Sequence, residues 1–211
     1  MPDYKLHYFA LYGRAEPARL MLSHAKADWE DSSFGFEAWP ALKATMPGGV
    51  VPCLELADGT KMGESFSIFR FLGAKLGYYS ADPMLAFRSD EIMDAFKGWN
   101  VGHEACSPMF EKDPDARKAA VEAAFSGPVP AFLDTIEETC KKGVFLTGDQ
   151  LSVADFVVGA FYFAVFANTS FYAAPEAAAV LAKYDGFKAW GDRFLAVNKE
   201  YLKDRSNVYP I

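Results

Sequence analysis

Apolar and polar positions alternate along Tyr4–Phe9, the period of a half-buried strand. A loop at Leu11-Tyr12-Gly13 follows, and apolar residues then recur at helical spacing through Ala15, Ala18, Leu22 and Ala25. Residues 29–32 predict a short strand, and 37–44 a short helix with Pro40 in its first turn, where proline is tolerated. Beyond the Met46-Pro47-Gly48-Gly49 loop, residues 50–56 are apolar and β-branched enough for a strand. Asp58-Gly59 is a hairpin signal, Lys61–Met62 a brief strand, and Ser65–Leu76 a helix that Gly77 ends.

The order β-α-β-α-β-β-α predicts a parallel, right-handed first crossover with an antiparallel hairpin added to the same sheet, a thioredoxin-like arrangement. After a turn-rich link at 78–83 the texture changes, and all that follows reads as helix. Ile92, Phe96, Trp99, His103 and Cys106 form one apolar stripe of a single long helix. Asp113-Pro114 starts another, interrupted or bent around Gly127-Pro128-Val129-Pro130. Ser152-Val153-Ala154-Asp155 is a capping box opening the apolar run 156–167, and 175–183 and 186–198 are further helices. The expected fold class is α/β thioredoxin-like over residues 1–80, followed by an all-α helical domain over 81–211.

Composition narrows the function. With 51% hydrophobic and 23% charged residues the chain is foldable and globular. Its net charge is −7, about −1 before residue 81 and −6 after, with no basic block. That disfavours non-specific binding to nucleic acid or an anionic membrane. The run 156–167 is shorter than the roughly 20 residues of a membrane span. The first residues lack the apolar core of a signal peptide, and three scattered cysteines offer neither a disulfide framework nor zinc-ligand spacing. The expectation is a cytoplasmic protein without a metal.

The informative chemistry lies at Tyr8 to Arg19. A strand ends, a glycine turn follows and a helix begins, so free N–H groups and a strand-end phenol share one space. Tyr8 is the leading phenol and Tyr12 its rival. A phenol there can donate a hydrogen bond to a bound thiolate and lower the thiol pKa. Such a charge-assisted bond is worth roughly 1.5–3 kcal/mol, enough for one or two pKa units. His103 reads as a pocket-lining or core residue, Cys53 as a small buried hydrophobe and Asp155 as structural.

These residues also carry a family resemblance. Tyr8-Phe9 followed by Gly13-Arg14-Ala15-Glu16 resembles the amino terminus of the tyrosine-type glutathione S-transferases, the sigma class most of all. Trp39 with Lys43 is similar to the pair that grips the glycine carboxylate of glutathione, Val51-Pro52 to the cis-proline step, and Glu64-Ser65 to the pair that holds the γ-glutamyl end. The Ser152–Asp155 box matches the family's core helix. The resemblance implies a homodimer that binds glutathione as co-substrate through Tyr8, Arg14, Trp39, Lys43, Val51, Pro52, Glu64 and Ser65. Tyr8 would activate the thiol for conjugation to hydrophobic electrophiles. The electrophile would sit among Phe9, Tyr12, Trp99, His103 and Phe161, with tail residues Tyr209 and Ile211 as further candidates.

The sequence also departs from the family pattern. Glu64 replaces a commoner Gln, Val50 a frequent Gln, and Tyr12 is bulkier than usual. Lys97-Gly98 stands where a partner subunit often offers an Asp, leaving Asp94 or Asp90 as the nearest carboxylate. Three alternatives stay open: a glutathione-dependent prostaglandin isomerase, a non-catalytic crystallin-like binder, and a thioredoxin-type redox protein using Cys53. The absence of Cys or Ser after the first strand counts against the last.

Overall fold

The computed structural model describes residues 2–205, so Tyr209 and Ile211 lie outside the described residues. Four strands form one mixed sheet in the order β2-β1-β3-β4. Strand β1 (Tyr4–Phe9) lies parallel to β2 (Trp29–Phe34) and antiparallel to β3 (Cys53–Leu56), which pairs antiparallel with β4 (Lys61–Met62). β3 begins later than the apolar pattern suggests, because Pro52, after a cis peptide, has no N–H to give the ladder. Helix α1 (Glu16–His24) crosses between the parallel strands. The 37–44 stretch is helical but divided, with 3-10 turns at Phe36–Ala38 and Lys43–Thr45 flanking α2 (Trp39–Leu42). α3 (Ser65–Leu76) ends on left-handed Gly77 as expected.

Among the described residues, every element from Pro83 onward is helical. α4 (Pro83–Gly98) is capped by the Asp82 carboxylate, which accepts the N–H groups of Met84 and Leu85. The single long helix expected through Cys106 is instead two. Asn100 takes a left-handed backbone (φ 53°), and the chain restarts as α5 (Val101–Cys106). Asn is among the few non-glycine residues that tolerate this conformation. α6 (Pro114–Ser126) and α7 (Pro128–Lys142) meet at the Gly127-Pro128 interruption.

The centre is α8 (Val153–Phe161), buried along its whole length and packed against α1, α3 and α4. Its apolar run continues as a π-helical turn at Tyr162–Phe166. Asp155 anchors its start. One carboxylate oxygen accepts the N–H and hydroxyl of Ser152, and the other the Leu146 N–H and the Trp190 indole N–H. α9 (Ala174–Leu181), α10 (Asp185–Val197) and α11 (Lys199–Asp204) follow, and α11 folds back against α1.

Candidate active site

Tyr8 occupies the next-to-last position of β1, and its side chain is largely buried. Gly13 adopts φ +45° and turns the chain back beneath the ring. The backbone N–H of Arg14 then donates to the Tyr8 hydroxyl oxygen at 3.1 Å. A hydroxyl that accepts in this way keeps its own proton to donate elsewhere. Burial pushes the phenol above its ordinary pKa of 10, while the Arg14 N–H and the charges of Arg14 and Arg19 oppose the rise. Tyr8 therefore stays a protonated donor at neutral pH.

Tyr8 opens into a cavity of about 590 Å³ between the sheet-bearing part and the helices that follow. Arg14, Glu64 and Ser65 line it from the first part, joined by Phe9 and Tyr12. His103 and Phe161 line it from the second. His103 is half-exposed, so it belongs to the wall and not to the core. Tyr12 is buried, its ring 5.1 Å from Phe163 and 4.9 Å from the Arg205 guanidinium. Cys106 also lines the cavity, and burial pushes its thiol up to about 12, so it is no ready nucleophile.

Other sequence candidates stand elsewhere. Trp39 does not line the cavity; its ring lies 5.7 Å from that of Phe9, which does, and stacks on Phe34. Lys43 is exposed, its stem alongside Gly49. Val51 and Pro52 form the cis step beside β3, outside the cavity lining. Trp99 does not line the cavity: the turn at Asn100 breaks the helical stripe and leaves the indole about half exposed. Asp94 is engaged within its own chain, where Arg70 donates to it at 2.9 Å and to Asp90 at 2.6 Å.

The cavity also has aromatic walls at Phe36, Phe66, Phe69, Phe96 and Phe110, which the sequence pattern does not assign to it. Phe66 and Phe69 carry a signal, an i,i+3 spacing on α3, whereas Phe36 and Phe110 meet only through the tertiary fold. Arg19, a fully buried cation on the apolar face of α1, is a further residue of this region that the sequence pattern does not assign to the site. A charge inside an apolar stripe is the signal that could have found it. Among the described residues no cluster of three His, Cys, Asp or Glu side chains suits a metal.

Comparison with known proteins adds a family context. Residues 100–205 match the family model described as "Glutathione S-transferase, C-terminal domain". The chain is 34% identical over 165 residues to "Glutathione S-transferase 1" of Ascaris suum, covering 75% of this chain and 78% of that one. It is 31% identical over 156 residues to "Hematopoietic prostaglandin D synthase" of Gallus gallus, covering 74% and 76%. The solved glutathione S-transferase of Ascaris lumbricoides superposes with a TM-score of 0.81 at 26% identity, over 100% of both chains.

Proposed function

The chain belongs to the glutathione S-transferase family, and from that premise we propose that Tyr8 is the catalytic group that activates bound glutathione. The chain is a glutathione transferase, with glutathione as co-substrate. In this reading residues 1–80 bind glutathione. Arg14, Glu64 and Ser65 hold it from the cavity wall, and Trp39, Lys43, Val51 and Pro52, which lie outside the cavity lining, hold the part of the peptide that extends beyond it. Residues 81–211 complete the electrophile site, where Phe9, Tyr12, His103 and Phe161 are the walls.

The observation that carries the reading is the Arg14 N–H on the Tyr8 oxygen at the cavity wall. The Tyr8 O–H donates to the glutathione sulfur and favours its thiolate over the thiol. The thiolate lone pair then forms a bond to an electrophilic carbon. In addition, the electron pair released from the π bond takes a proton at the neighbouring carbon; in aromatic substitution, the leaving group departs with its bonding pair. Proximity in an apolar cavity supplies much of the remaining advantage.

The test is Tyr8→Phe. The pKa of bound glutathione, read from thiolate ultraviolet absorbance, should rise by about one to two units. An unchanged value would overturn the role.

We assign the chain to the sigma type on the Tyr8-to-Glu16 motif, as a cytoplasmic detoxifying homodimer. Met84, Leu85 and Phe87, exposed at the start of α4, support an apolar contact with a second copy. All three cysteines are free, in keeping with a reducing compartment, and no described helix is long and apolar enough to cross a membrane. A second reading, glutathione-dependent prostaglandin isomerase, is supported by the Gallus gallus relative and by the large apolar cavity. Direct turnover of a lipid endoperoxide separates it from general conjugation. Tight glutathione binding with negligible turnover of 1-chloro-2,4-dinitrobenzene would leave the crystallin-like alternative.

A further inference from the structure

We propose that Arg19 is a positioning residue for thiol activation, pinning the loop that aims the Arg14 N–H at Tyr8 and tying that loop, through Glu16, to the carboxy-terminal helix. The inference rests on the Tyr8 reading above.

Arg19 is fully buried, which for a permanent cation demands complete pairing. Its guanidinium meets six acceptors. One terminal nitrogen donates to the carbonyls of Leu11 (2.8 Å) and Tyr12 (3.2 Å) and to Glu16 (3.1 Å). The other donates to the Phe9 carbonyl (3.3 Å) and the Ser33 hydroxyl (3.0 Å), and Nε donates to Asp31 at 3.0 Å. Three of those acceptors are backbone carbonyls between Tyr8 and Gly13, the segment that must return for Arg14 to reach the phenol. The same guanidinium lies 5.8 Å from the centre of the Tyr8 ring, within cation–π range.

Glu16 continues the chain of contacts. It accepts from the Tyr201 hydroxyl at 2.7 Å and from Arg205 at 3.2 Å on both carboxylate oxygens. Two cations, Arg19 and Arg205, thus face two carboxylates, Glu16 and Asp31, and the cluster is charge-balanced. A planar fork is what this arrangement requires, because a lysine ammonium in the same place could satisfy only three acceptors.

The test is Arg19→Lys in the full chain, read by the pKa of bound glutathione and by kcat and KM separately. The thiol pKa should rise by about one unit and kcat at neutral pH should fall about tenfold, with KM for glutathione changed less than about threefold. A folded Arg19→Lys protein with both thiol pKa and kcat unchanged overturns the proposal, even if its melting temperature falls. If that variant does not fold, the double variant Asp31→Ala with Ser33→Ala removes two partners at the fork's outer edge. It should shift the thiol pKa in the same direction, and no shift overturns the proposal. Tyr8→Phe run alongside separates the two readings: a rise there with none in the Arg19 set sinks only this inference, whereas no rise in Tyr8→Phe sinks the parent reading.

Discussion

A methyl group placed on Gly13 would lie 2.8 Å from the Tyr8 hydroxyl oxygen and 2.6 Å from a Leu11 methyl. Gly13 also holds φ +45°, a backbone state that side chains resist. Gly13→Ala should therefore lower stability by about 1–3 kcal/mol and displace the phenol. Urea unfolding measures the first effect. Turnover of 1-chloro-2,4-dinitrobenzene measures the second, and we expect a loss of about tenfold or more.

The pH profile follows from the state of Tyr8. Burial raises the phenol above its ordinary pKa of 10, so its proton is retained throughout the neutral and mildly alkaline range. kcat/KM should climb with pH only as the glutathione thiol ionises, then hold level up to about pH 9. Stopped-flow rates across that range test this. A downturn near neutrality would mean that another group had become limiting.

Asp155 should dominate the stability of the helical part. Its carboxylate has no solvent exposure and accepts the Ser152 N–H and hydroxyl, the Leu146 N–H and the Trp190 indole. Asp155→Ala leaves three N–H donors buried without that acceptor. The expected loss is about 3 kcal/mol or more, visible as a lower urea midpoint at unchanged slope.

Acid should weaken the fold in two windows. Burial lowers the pKa of His24, and the hydrogen bond from His7 lowers that of Glu55. Both groups bind protons more readily when the chain is unfolded. Their stabilisation is full above the unfolded values and is lost as pH falls, below 6.5 for His24 and below 4.5 for Glu55. Urea midpoints taken between about pH 7.5 and about pH 4 should fall in that order.

The apolar patch at Met84, Leu85 and Phe87 bears on assembly. Phe87→Asp places a charge on an exposed ring position and should leave the monomer folded. Sedimentation velocity should show the dimer we propose giving way to monomer. A wild-type chain that already sediments as a monomer would remove the homodimer reading.

The succession of elements along residues 4–76 and the α3 cap were legible because they rest on local rules: alternation, a hairpin dipeptide and a glycine stop. The loop around Tyr8 was legible as a place where a strand, a turn and a helix start converge. The fork of Arg19 was not, since its acceptors include carbonyls, which leave no mark in side-chain patterns. Trp99 was misplaced for a different reason. Helical spacing projects a straight axis, and one left-handed residue ended that axis just past the indole.

That residue, Asn100, acts as an elbow in the wall. Straightening it would swing α5, and with it His103 and Cys106, to a new bearing against the phenol, and Asn100, which also lines the cavity, would turn with them. A left-handed setting costs an ordinary residue about 1–2 kcal/mol, so Asn100→Ala would push toward the unbent form. In the reading we propose, preference among electrophiles is thus adjustable by steering a whole segment, through a residue that sets the backbone and also faces the cavity.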